Sequence, residues 1–202
     1  MNEWKVFDAV PITGSITYEE LAKKVNVPEA RLRRVLTHAI SNHIFWAPTR
    51  DSISHTSTSA EVVRDPLLFA WLGHNFDEIT PGIVKILESM EKYGESEKPE
   101  YAGTMIAYGK ELPFFKWIDI DGAGEPPKDV SEGKVVNGDR TKGWRARRFG
   151  NAMKFMMQSG TYASFHAVAG FDWGNLGKGI VVDVSTCPPS RTCQKRLAYD
   201  GS

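Results

Sequence analysis

Apolar positions recur at helical spacing along most of this chain, with two short exceptions. Trp4, Val6, Phe7 and Val10 predict a short first helix that Pro11 and Gly14 end. Thr17 with Glu20 three residues later predicts a capping box, since the hydroxyl accepts from an orphan amide while the carboxylate reaches back; Leu21, Ala22 and Val25 then share a face. Pro28 suits the first turn of a third helix carrying Leu32, Val35, Leu36 and Ile40, with Arg31, Arg34 and His38 opposite. The exceptions are Ile44 to Ala47 and Ile53 to His55, two extended runs parted by the turn-prone Pro48-Thr49-Arg50-Asp51. Three helices and a hairpin predict a winged helix over residues 1–65.

Helical spacing returns through Val62 and Val63, then from Asp65-Pro66 through Leu68, Phe69, Trp71 and Leu72, and again over Ile83, Val84, Ile86, Leu87 and Met90. Gly94 to Lys98 reads as a loop. Between Asp119 and Gly143 glycine, proline and charge dominate, which predicts a long, exposed, mobile loop inside a helical region of residues 66–178. Trp144 to Gln158 then predicts a strong helix with Phe149, Ala152, Met153, Met156 and Met157. Gly179-Ile180-Val181-Val182-Asp183-Val184 has the β-branched density of a buried parallel strand. The fold expected is therefore mainly α, with the first strand of an α/β sheet at residues 179–202.

Composition narrows the function classes. The 202 residues carry 25 basic and 25 acidic side chains, so the chain as a whole has no electrostatic claim on nucleic acid or on acidic membranes. Residues 1–65 hold eight lysines and arginines against eight acidic residues, which argues against the phosphate neutralisation that a winged-helix DNA reader needs, despite Arg31, Arg33, Arg34 and His38 on one helix. No basic leader and no long apolar run occurs, so a soluble, cytoplasmic protein is expected. Cys187 and Cys193 are too few for a zinc site, and His38, His43, His55, His74 and His166 show no metal spacing; they read as surface or packing residues.

Three segments carry a family likeness: Val6-Phe7-Asp8-Ala9-Val10-Pro11 with Ile16-Thr17-Tyr18-Glu19-Glu20-Leu21-Ala22 and Arg31-Leu32-Arg33-Arg34-Val35-Leu36; Gly143-Trp144-Arg145-Ala146-Arg147-Arg148-Phe149-Gly150-Asn151-Ala152-Met153; and Phe171-Asp172-Trp173 with Lys178 to Val184. Together they resemble class I, S-adenosylmethionine-dependent O-methyltransferases of fungal secondary metabolism. The resemblance implies that the winged helix is a dimerisation and lid element, that the start of a Rossmann-like domain follows it, and that the acceptor is a polyketide-like phenol or enol. It further implies that Phe149 and Met153, with Met157 and Trp173, line the acceptor pocket. Four residues on a helix bring Phe149 and Met153 to one face, where a flat aromatic can meet a ring and a thioether.

The resemblance also implies S-adenosylmethionine as cofactor, at a glycine-rich turn following the strand that ends near Asp183. This chain instead reads Ser185-Thr186-Cys187-Pro188-Pro189-Ser190, and adjacent prolines cannot form that turn or open the helix after it. Asp183 is then a vestige of the cofactor site, and no residue here matches the family's histidine base. Ser190 to Lys195 can be encoded so that a neighbouring frame reads Q-D-L-P-K, which fits a deletion or mis-splice that truncates the protein. The expectation is an O-methyltransferase-type polypeptide inactive by itself, with a homodimer or a non-catalytic association with another pathway enzyme as its possible assemblies.

Overall fold

The computed structural model describes residues 4–131, 136, 138–158, 160, 163 and 165–176. The strand expected at residues 179–184, Asp183 and both cysteines lie outside the described residues. The architecture is mainly helical with one small sheet.

The first part is built as its local signals dictate. Helix α1 (Val6–Ala9) is followed by β1 (Ile16–Thr17), α2 (Tyr18–Val25) and α3 (Glu29–Ser41). At the start of α2 the Thr17 hydroxyl accepts from the Glu20 amide at 3.2 Å, and the Thr17 amide donates to the Glu20 carboxylate at 3.2 Å. Strands β2 (Phe45–Trp46) and β3 (Ser52–His55) form the expected hairpin, and β1 adds to its other edge in the order β1-β3-β2, all antiparallel. The register pairs Ile16 with Ile53 and Phe45 with His55. The core between helices and sheet holds Val6, Leu21, Leu32, Leu36, Phe45 and Ile53, none more than 1% exposed. Helix α4 (Ser57–Arg64) closes it, capped by Thr56 and Ser59.

Helix α5 (Pro66–His74) begins where Asp65 accepts from the Leu67 amide at 2.8 Å and proline occupies the first turn. It runs without a break into a π-helical turn, Asn75–Ile79, and then α6 (Thr80–Val84). The run from Ile83 to Met90 is two helices rather than one: Lys85 leaves helical geometry at φ −96°, ψ 6°, and α7 (Ile86–Tyr93) starts after it. Helix α8 (Gly103–Tyr108) crosses α6 at two glycines. A side chain on Gly82 would strike Thr104, and one on Gly103 would strike the Gly82 carbonyl.

Helices α9 (Phe114–Ile120) and α10 (Lys128–Ser131) precede α11 (Trp144–Gln158), whose bounds are those the sequence predicts. The flanks of the intervening segment are bonded to each other: the Ala123 amide donates to Arg140 O (3.0 Å), Lys142 to Gly124 O (2.9 Å) and Gly143 to Asp121 O (2.8 Å). Gly122, at φ 108°, packs against the Arg140 and Thr141 carbonyls, where no side chain fits. The chain divides into two compact units, Met1–Met156 and Met157–Ser202; the described part of the second holds α12 (Phe165–Ala169) and a 3-10 turn, Trp173–Leu176.

Candidate functional site

The richest chemistry in the first unit lies where α11 meets α5 and the π-helical turn. The π turn lets one more residue into the helix, a distortion often found at functional positions. His74 and Glu78 are four residues apart across it, and the His74 Nδ1 lies 3.1 Å from Glu78 Oε2. Glu78 is 1% exposed. A carboxylate this deep needs cationic partners, and α11 supplies them: Arg145 and Arg148, one helical turn apart, both donate to Glu78 Oε1. Arg148 also reaches Asp77 at 2.5 Å, and Arg145 Nε donates to Asp121 Oδ2 at 2.7 Å. Gly73 makes room for this approach, since a Cβ there would sit 3.0 Å from Arg148 Nη1 and 3.2 Å from its Cδ.

The electrostatics follow from the geometry. Burial pushes the Glu78 carboxyl up, but the His74 hydrogen bond and the two guanidiniums outweigh it and hold the group below its ordinary value, so it is a carboxylate at neutral pH. Arg145 loses by burial and gains more from Asp121 and Glu78, so its pKa rises. Its guanidinium also lies over Trp144 (4.3 Å), Trp117 (4.6 Å) and Tyr108 (4.9 Å). Tyr108 donates to the Asp77 carbonyl, and its phenol is raised first by burial, with Arg145 opposing and Glu78 and Asp77 adding to the rise. A second pin stands nearby in sequence, where Asp139 accepts from Arg147 Nη2 at 2.5 Å and from the Thr141 hydroxyl at 2.6 Å.

Phe149, one turn beyond Arg145, is half-buried beside this cluster. Its ring meets His74 edge-on (5.2 Å, 74°) and Phe115 likewise (5.6 Å, 77°); Phe115 in turn meets Phe114, and Phe114 meets Trp117. Met153 is half-buried on the same helix. Of the other residues expected at an acceptor pocket, Met157 and Trp173 belong to the second unit; Met157 is exposed, and Trp173 packs its ring against Phe171 at 4.8 Å. A shallow hollow between α1 and α2, bordered by Trp4, Asp8, Lys24 and Val25, is lined by none of the four.

The histidines separate sharply. His38 and His43 are exposed, His55 bonds Ser59 and the Val10 carbonyl, and His74 is buried against Glu78. The i, i+4 spacing of His74 and Glu78 was the available signal for that pair; the two arginines meeting it from α11 had none, because their contact spans about seventy residues of chain. Among the described residues no group of three histidine, cysteine or acidic side chains could hold a metal ion, and no helix is long and apolar enough to cross a membrane.

The chain is similar over about nine-tenths of its length to fungal O-methyltransferases. It is 28% identical over 185 residues to O-methyltransferase aurJ of Gibberella zeae, covering 91% of this chain and 37% of that protein. To O-methyltransferase bik3 of Gibberella fujikuroi it is 30% identical over 184 residues, covering 91% of this chain and 36% of the relative. O-methyltransferase VdtC of Byssochlamys spectabilis is 28% identical over 181 residues, 90% of this chain and 37% of that protein. The chain thus spans little more than a third of the length of these curated relatives. No family model matches it. Among solved structures, OxaC in complex with SAH and oxaline superposes with a TM-score of 0.52 over 57% of this chain and 30% of that one, at 15% identity. A pericyclic reaction enzyme superposes at 0.51 over 75% of this chain and 34% of that one, at 14% identity. Both show a shared fold, which by itself fixes no reaction.

Proposed function

We propose that this chain is the winged-helix and acceptor-side portion of an O-methyltransferase architecture of fungal secondary metabolism. The acceptor would be a flat phenolic or enolic, polyketide-like molecule, and S-adenosylmethionine the methyl donor. The observation that carries the reading is the position of Phe149. The helix on which the family likeness places an acceptor-facing phenylalanine is clamped onto the π turn after α5 by Arg145, Arg148 and Glu78, with the Phe149 ring left half-open beside them. Positioning of that kind suits a residue that must orient a substrate for in-line transfer. Met153, half-buried one turn further along the same helix, extends the proposed wall.

In this reading the three helices and three-stranded sheet are a winged helix used for protein contact rather than for DNA. Arg33, on the helix that would enter a groove, is held by Glu29 at 2.7 Å and Asp51 at 2.9 Å and lies over the Tyr18 ring, so its charge is already spent. The 202-residue polypeptide is proposed to be catalytically silent by itself, because Pro188 and Pro189 stand where a cofactor turn needs glycine. Incubation with S-adenosylmethionine carrying a labelled methyl group and a panel of hydroxynaphthalenes and hydroxyanthraquinones should give no labelled product. Methylated product at stoichiometric turnover or above would refute the silence.

One observation favours association with another protein surface. Phe76, Ile83, Val84, Leu87 and Met90, along the π turn, α6 and α7, are each 62–74% exposed. A row of this size on one stretch marks a contact surface. A second copy of the chain or another pathway enzyme would cover it.

A further inference from the structure

We propose that Tyr93 and Tyr101 form an oxidative modification site: a haem peroxidase working with hydrogen peroxide joins their two rings as a dityrosine within one chain. The inference stands apart from the acceptor-side reading and does not depend on it.

The backbone brings the rings together. Helix α7 ends at Gly94, whose φ of 61° and ψ of −134° suit glycine, and the chain returns through a 3-10 turn, Pro99–Tyr101. Ser89 and Tyr93 lie one turn apart on α7, and the Ser89 hydroxyl donates to the Tyr101 carbonyl. Tyr101 is thereby held with its ring on Tyr93: the centroids are 3.8 Å apart and the planes within 3° of parallel. Face-to-face rings repel through their quadrupoles, and two cations offset that, since Lys92 Nζ lies 5.0 Å from the Tyr93 centroid and Lys98 Nζ 5.5 Å from that of Tyr101. Both tyrosines are half-buried, so an oxidant reaches them from solvent. Among the described residues no other two tyrosines touch: Tyr18 is buried against the Arg33 guanidinium, and Tyr108 donates to the Asp77 carbonyl and faces Trp117.

The chemistry follows from the contact. Each phenol gives up one electron and its hydroxyl proton, and the two phenoxyl radicals form a carbon–carbon bond between ring positions ortho to their oxygens. The hydrogen on each bonded carbon then moves to the neighbouring oxygen, which restores two phenols. Hydrogen peroxide takes up the two electrons and two protons and leaves as two waters, so the chain loses two hydrogen atoms. Holding the rings in contact makes this coupling intramolecular, and that favours it over coupling between chains. The new bond ties the end of α7 to the turn before α8 and fixes residues 94–100 between them.

Treatment of the full chain with a plant haem peroxidase and one equivalent of hydrogen peroxide tests this. The wild type should gain the blue fluorescence of dityrosine, stay a single chain on a denaturing gel and lose two hydrogen atoms in mass. Cleavage after glutamate parts Tyr93 (residues 92–95) from Tyr101 (residues 101–111), so the product should appear as these two peptides joined, with fragmentation placing the bond on Tyr101 rather than Tyr108. Tyr93→Phe and Tyr101→Phe keep a ring for the stack and lose the phenol, and the fluorescence of each should be lower by about 10-fold or more. No dityrosine under conditions that convert free tyrosine overturns the inference. So does a crosslink between chains, a bond mapping to any other tyrosine, or a signal undiminished in either variant. Should a variant not fold, the peptide map of the wild type decides by itself.

Discussion

Glu78 and Arg148 are seventy residues apart in sequence, and in the fold Arg148 Nη2 donates directly to Glu78 Oε1. Arg145 shares the same oxygen. One buried carboxylate thereby ties α11, with Phe149 on it, to the π turn after α5.

Replacing Glu78 by Gln should therefore cost stability out of proportion to the change in shape. It leaves Arg145 with Asp121 and Arg148 with Asp77, but removes the buried charge that both share. The expected loss is about 3–5 kcal/mol in the free energy of urea unfolding. A change under about 1 kcal/mol would mean that the two outer carboxylates alone hold the helix.

The same carboxyl makes stability depend on acid. Its folded pKa lies below the ordinary value of 4.5, so the unfolded chain binds the proton more readily. Its contribution is complete above about pH 4.5, shrinks as pH falls below that and is lost once pH has passed through the depressed folded value. Urea midpoints between pH 3 and pH 5.5 should fall with acidification in the wild type and less so in Glu78→Gln.

His55 acts in a different window. Burial lowers its pKa below 6.5 against the opposing hydrogen bonds to the Val10 and Phe7 backbone, and Arg64 adds to the lowering. The folded state prefers the neutral ring, with one nitrogen on Ser59 and the other on the Val10 carbonyl. Its contribution is full above about pH 6.5 and declines as pH falls through the folded value. NMR titration of the His55 ring should give a midpoint below 6.5, and a midpoint at or above 6.5 would contradict the burial argument.

Gly103→Ala tests the crossing of α6 and α8. The new methyl group would meet the Gly82 carbonyl and, at 3.1 to 3.2 Å, the backbone of Lys85 and Ile86, none of which is a flexible side chain. Thermal unfolding should show a loss of about 1–3 kcal/mol, the usual range for overpacking. The gain that a glycine-to-alanine change gives in an open helix should not appear.

Local signals account for what the sequence disclosed. The Thr17–Glu20 box lies within one turn, so its residues specify it without help from the rest of the fold, and the bounds of α11 at Trp144 and Gln158 follow from its own spacing. The break at Lys85 was hidden because Ile83 to Met90 keeps apolar spacing while its side chains face outward; spacing reports composition, and burial depends on what packs there. Strand β1 is two residues long and exists through its pairing with β3. The Glu78 cluster was hidden for a related reason, since charges from the π turn, from Asp121 just past α9 and from α11 meet only after the helices pack.

The most direct test of the acceptor-side account is calorimetric titration of the folded chain with 1-naphthol and with S-adenosylmethionine in the same buffer. The account predicts saturable binding of the phenol and no heat from the methyl donor; stoichiometric binding of S-adenosylmethionine without any binding of the phenol would contradict it.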